Sequence, residues 1–360
     1  MDRSETVRNA LLALLRGCLW ERRVEPLSLF PLSHTSWEEL YRLARQQTVT
    51  GVTFRGLYYL PEDMLPPEPL LMRWMAETDA IERRNIKMNR ALTSLLSLMA
   101  QNGLHPVLQK GQGLAALYTN PFLRECGDID LFFASPGEFE AASRCVEKQD
   151  IRMVRKADGC LLYSWQGIPV EHHIRLLDLY HPHHRIKKTK QIWEFRRMPL
   201  SAASNWEVTV PAPSLNLLLQ YAHILKHALG RGIGLRQLCD LALSCDRWHT
   251  AIMPDVLQGV CRQAGLTKWV PLLHAFLTER LGLASNRLPY PETAASTQPL
   301  LEIIWRGGNF GHQAYRLTRP TLLHKIQTAE AFWRNISFAF RYAPKEALAI
   351  FVNLLKGQIK

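Results

Sequence analysis

Asp128 and Asp130 stand on either side of Ile129 in the stretch VLQKGQGLAALYTNPFLRECGDIDLFF, Val107 to Phe133. On an extended segment alternate side chains share a face, so the two carboxylates project together while Ile129 turns into the core. Like charges placed this way repel, and magnesium held by carboxylate and phosphate oxygens is the usual cation that neutralises them. Upstream, Lys110-Gly111-Gln112-Gly113 supplies a Gly-rich turn. Backbone N–H groups can approach a phosphate at such a turn, and a neighbouring lysine adds a point charge. Each feature also has a plainer reading. A lone Asp-x-Asp occurs on exposed edge strands, either glycine can be an ordinary turn residue, and Arg124 can simply pair with a carboxylate.

These side chains need a strand, a turn, a short helix and a second strand to hold them. Val107 and Leu108 end an apolar run, Leu114 to Tyr118 has the spacing of a short helix, and Leu131-Phe132-Phe133 continues the second strand. From about Gly103 to Leu200 the signals are short strands, with a helix over 138–147 and a hairpin pairing 151–156 with 160–165 about Asp158-Gly159. The next extended run is Ile168 to Leu176. On it Glu171, His173 and Arg175 share one face, and Val170, His172 and Ile174 the other. The first hundred residues read as mostly helical: Ser36-Trp37-Glu38-Glu39 has the form of a capping box, 76–100 carries apolar residues at helical spacing, and the Pro-rich LPEDMLPPEPL between them reads as a loop. After Pro211-Ala212-Pro213, Ser214 can cap a helix running to Gly230.

On that helix His223 and His227 stand four apart with Lys226 beside them. The spacing is that of a metal-binding helix, but there is no H-E-x-x-H pattern and no third ligand, so the group reads as cleft-lining or as packing. The His cluster at 181–185 reads as a solvated loop, Asp240 as the partner of Arg236, and 331–360 as helical and rich in aromatic and basic residues.

The ordered set Lys110-Gly111, then Arg124-x-x-Gly127-Asp128-Ile129-Asp130-Leu131, resembles the nucleotidyltransferase superfamily that includes polymerase β and the antibiotic-modifying nucleotidyltransferases. Within it the form is most similar to the broad bacterial family of uncharacterised nucleotidyltransferases. Glu171-x-His173, His223-x-x-Lys226-His227, Gly234-x-Arg236-x-x-x-Asp240-x-Ala242 and Gly307 to Gly311 resemble further stretches of that family, and Trp37 to Leu57 its helical lead-in. The resemblance implies transfer of a nucleoside monophosphate from an NTP to a hydroxyl or phosphate acceptor, with release of pyrophosphate. It implies that Asp128, Asp130 and Glu171 hold two magnesium ions, and that Lys110, Gly111, Gln112, Arg124, His173 and Lys226 contact the nucleotide. The acceptor would be a small molecule, a glycan precursor or a protein. One departure stands out: the superfamily usually has Gly-Ser or Gly-Gly at the turn, where this chain has Gly111-Gln112-Gly113 and a longer gap to the carboxylates.

At 360 residues and 41.3 kDa the chain can bury a full core, and 47% hydrophobic with 21% charged residues fits a globular protein. The expected architecture is α+β: a small mixed-sheet nucleotidyltransferase core at 101–210, between helical regions at 1–100 and 211–360. A net charge of +12 favours polyanionic partners such as nucleotide triphosphates, nucleic acid or an anionic membrane face. Seven cysteines without a C-x-x-C pair argue against a disulfide framework or a zinc site. The N-terminal residues lack the layout of a signal peptide, and no apolar run reaches membrane-spanning length, so the expected location is cytoplasmic. Two other classes stay open. One is a binding module that keeps the fold without turnover. The other is a nucleic-acid-modifying enzyme, which the charge permits although no RNA or DNA module is visible.

Overall fold

The strand that carries the carboxylates lies in the middle of the molecule. In a computed structural model of the chain the residues described are 2–156, 159–177, 179–180, 190–200, 206–230, 232–291, 293–294, 296–307, 330 and 333–355. Seven strands form one mixed sheet: β1 (Val107–Gln109), β2 (Ile129–Phe132), β3 (Val154–Arg155), β4 (Leu161–Trp165), β5 (Ile168–His173), β6 (Phe195–Pro199) and β7 (Glu207–Pro211), in the order β3-β4-β5-β2-β1-β7-β6. β2 runs antiparallel to β1 and parallel to β5. The expected α+β class is what the chain adopts.

Alternation along the strands separates two faces. Ile129, Leu131, Leu108 and Val170 are buried on one of them, in a core shared with Met88, Leu92 and Leu95. Those last residues belong to α4 (Glu68–Gln101), a 34-residue helix whose buried stripe begins with Leu70 and Trp74 in a second, larger core. α4 therefore ties the sheet to the helical remainder. That larger core draws on α1 (Arg3–Trp20), α2 (His34–Gln46), α3 (Thr50–Gly56), α7 (Pro213–Leu229), α8 (Leu235–Trp248), α9 (Pro254–Gln263), α10 (Trp269–Glu279) and α11 (Gln298–Gly307). It also takes residues from the helices Ile336–Tyr342 and Pro344–Leu355, so the expected N- and C-terminal helical regions pack into one apolar body.

Helix α6 (Pro136–Glu147) is fixed by a capping box between Ser135 and Glu138, and β3 and β4 form the expected antiparallel hairpin. Several boundaries differ from those expected. The cap of α2 is Ser33, whose hydroxyl accepts the Ser36 N–H, so that helix starts ahead of the capping-box pattern. Helix α7 starts at Pro213 rather than after Ser214; the Ser214 hydroxyl is buried and accepts from the Met253 N–H. The Pro-rich stretch is partly helical, because Pro69 lies in the first turn of α4, where its missing N–H is not needed. The short helix after the turn, α5 (Gly111–Ala115), begins at the glycines themselves and ends before Tyr118. β5 ends at His173, so Arg175 lies beyond the ladder and is exposed. Asp158, the His cluster at 181–185 and the Gly-rich segment from 308 to 311 lie outside the described residues.

Candidate active site

The parallel register of β2 and β5 assembles the site. Asp130 is paired with Glu171 and Phe132 with His173, while Gln109 of β1 flanks Asp130 from the other side. A carboxylate oxygen of Asp130, one of Glu171 and a ring nitrogen of His173 lie within 4.8 Å of one another. Asp128 precedes the first residue of β2 and falls outside that compact set, but the charges of Asp130 and Glu171 reach it. Of the residues the sequence nominated as ligands, the fold thus brings Asp130 and Glu171 together and adds His173.

The chain's own cations offset this negative charge. His173 Nε2 bonds to Asp130 Oδ1 at 2.7 Å, and its Nδ1 lies 3.1 Å from Cys160 Sγ. Lys156, on the lead into the β3–β4 turn, is ion-paired with Glu171. Burial would lower the His173 pKa, but the bonds to Asp130 and Cys160 and the Asp130 charge overcome it and raise it to about 10. Asp130 is likewise buried, yet Lys110, His173 and Lys156 hold its carboxyl below the ordinary value. Asp128 moves the opposite way: burial, then the charges of Asp130 and Glu171, push it up to about 7 against the pull of Lys110 and Arg236. Two carboxylates crowded together share ionisation unequally, as here.

Lys110 closes β1 with φ +50 and ψ −135, a conformation that a residue with a Cβ rarely adopts, and Gly111 follows at φ +39. The paired turn sets the Lys110 ammonium in the electrostatic neighbourhood of Asp128, Asp130 and His173. Gly113 has a different use. A Cβ there would come within 3.2 Å of Val210 Cγ1, so its smallness lets α5 seat against β7. Gln112 is buried and lines a small cavity with Asn85 and Asn89 of α4, with no hydrogen-bond partner for its amide among the described residues.

Arg124 is engaged elsewhere. Its Nε and Nη2 donate to Asp240 Oδ1 and Oδ2 at 2.7 and 2.6 Å, Tyr118 donates to the same carboxylate at 2.8 Å, and both charged side chains are almost fully buried. The expected pairing of Asp240 with Arg236 is thereby corrected. A bidentate fork suits Arg124, whereas Arg236 donates from Nη1 to the Glu125 carbonyl. Lys226 is exposed on α7, and the rings of His223 and His227 meet edge to face at 4.4 Å. Sequence reasoning missed Lys156 and Cys160, which carry no motif, and gave Arg236 only a pairing role although it stands in the Gly234-to-Ala242 stretch.

A mixed sheet with carboxylates on two adjacent parallel strands, beside a Gly-containing turn that opens a helix, is the architecture of a nucleotidyltransferase core. A family model described as uncharacterised nucleotidyltransferase matches residues 33–282, well over half of the chain, and the protein belongs to that family. No curated protein and no solved structure matches it. No helix among the described residues is long and apolar enough to cross a membrane.

Proposed function

We propose that the protein transfers a nucleoside monophosphate from an NTP to a hydroxyl or phosphate acceptor, and that Asp128, Asp130 and Glu171 carry the reaction. The observation that carries this reading is the register that sets Asp130 against Glu171 with His173 bonded to Asp130, on a chain belonging to a nucleotidyltransferase family. The two carboxylates, Asp130 and Glu171, fit magnesium in chemical type, since carboxylate oxygens are its preferred protein ligands. Magnesium bound there would lower the pKa of the acceptor hydroxyl and offset charge on the triphosphate. Asp130 and Glu171 would hold it, with Asp128 beside them. Lys110 supplies positive charge toward the phosphates from the Gly111 turn, and His173 fixes the orientation of Asp130. Glu171, its charge held by Lys156, would complete the metal site or take the acceptor's proton.

Incubation with each labelled NTP, magnesium and a cell extract tests the reading. Label should pass to an acceptor as pyrophosphate is released, and Asp128→Asn combined with Asp130→Asn should abolish this while the fold survives. Glu171→Gln should lower turnover by roughly 10² to 10⁴ with a far smaller change in NTP affinity. Wild-type turnover in either variant would refute the assignment. One observation favours a second reading, NTP binding without turnover: Asp130 and Glu171 already carry partners within the chain. Bound NTP with no pyrophosphate released under any acceptor condition would select it.

A further inference from the structure

Lys110 and Arg236 act on the carboxylates from two elements and His223 lies beside them on a third, and two of these groups present buried nitrogens with no partner among the described residues. Nδ1 of His223, on α7, and Nε of Arg236, in the first turn of α8, are both buried with no hydrogen-bond partner among the described residues. The two belong to one locality with Lys110. Arg236 and Lys110 both act on Asp128, and both act on His223. Burial, followed by Lys110, His227, Lys226 and Arg236, holds the His223 imidazole neutral. Arg236 is tethered at one end by its Nη1 bond to the Glu125 carbonyl. Helices α7 and α8 pack directly on each other, and α8 also meets α5, so these nitrogens are held on rigid elements. Buried donors are matched by acceptors in stable proteins, and no acceptor for these two nitrogens lies among the described residues, which suits them to an external ligand.

We infer that the His223 imidazole, the Arg236 guanidinium and the Lys110 ammonium form a polyphosphate subsite that grips the triphosphate tail of the nucleotide. The inference rests on the nucleotidyltransferase reading for the identity of the ligand, but the subsite itself requires only a polyanion rich in acceptor oxygens. Phosphate oxygens suit a guanidinium fork and a lysine point charge, and a neutral imidazole protonated at Nδ1 can donate to them as well.

The test uses the full chain and inorganic tripolyphosphate in the presence of EDTA, so that neither metal nor turnover contributes. Calorimetry should show tripolyphosphate binding by the wild type, with a rise in melting temperature that sulfate at matched ionic strength does not reproduce. Arg236→Gln and His223→Phe should each weaken binding by about tenfold or more, Arg236→Lys should fall between, and Asp128→Asn should bind at least as tightly as the wild type. Absence of tripolyphosphate binding at millimolar concentration by the wild type would overturn the inference even if no variant folds. So would wild-type affinity in a folded Arg236→Gln or His223→Phe protein. NMP transfer without tripolyphosphate binding would sink the subsite and spare the reaction, whereas binding without transfer would keep the subsite and sink the reaction.

Discussion

His172 and His173 are neighbours in sequence with opposite electrostatic fates. His172 turns into the core, where its Nε2 and the Tyr163 hydroxyl are 2.7 Å apart and its ring meets Phe133 at 4.8 Å, and burial followed by the His173 charge lowers its pKa to about 3. His173, one residue on, faces Asp130 and is held protonated. The same alternation puts Asp128 among other carboxylates, and its displaced pKa has a thermodynamic consequence. Its folded value of about 7 lies above its ordinary 3.8, so the folded state binds that proton more tightly than the unfolded chain does. The associated stability is fully present below the ordinary value and is lost as pH rises through about 7. Without divalent metal, thermal melting should therefore move to lower temperature between about pH 4 and pH 7, and Asp128→Asn should flatten that slope. An unchanged slope in the variant would place the carboxyl in an ordinary environment.

Among elements, the segment leading into β2 is positioned by a buried strut. Arg124 bridges to Asp240 of α8, Tyr118 joins them, and the Asn85 side chain of α4 donates to the carbonyls of Phe122 and Arg124. Removing one partner of such a pair strands a charge in the interior, which costs about 3–5 kcal/mol. Asp240→Ala should accordingly lower the melting temperature strongly. Joint replacement of Arg124 and Asp240 by apolar residues of similar volume should recover much of that loss, and denaturant titration of the single and double variants measures it. A small loss in Asp240→Ala would show that the strut does not hold α8 against the sheet. Sequence reasoning had allowed Arg124 a carboxylate partner but could not choose which, because the 116 positions separating it from Asp240 are closed only by tertiary packing.

For the whole molecule, the larger apolar core runs from Val7 to Ile350, so the helical regions on either side of the sheet do not form independent bodies. α1 is anchored far along the chain: Trp20 Nε1 donates to the Leu281 carbonyl at 2.5 Å and Arg16 Nη1 to the Arg280 carbonyl at 2.9 Å. Deleting residues 2–23 would remove the buried face formed by Leu11, Leu14 and Leu15 and expose the apolar surfaces it covers. The truncated chain should aggregate or bind a hydrophobic dye, and a monodisperse, cooperatively melting product in size-exclusion and thermal measurements would show that α1 is dispensable.

The sequence by itself determined the local chemistry. Glu171 and His173 had to share a face with each other, and a helix had to form over 138–147, because each follows from a backbone period or a contact spanning a few residues. Alternation also left His172 on the opposite face from Glu171 and His173. What the sequence could not decide was which faces meet. The parallel register that sets Asp130 beside Glu171, the arrival of Lys156 and Arg236 at the carboxylates, the turning of Gln112 toward α4 and the choice of Arg124 as the partner of Asp240 all join residues from different elements. No local period encodes such pairings. They are fixed by the burial of two apolar cores joined through α4, which selects one arrangement of the strands and helices and carries the polar groups into place with them.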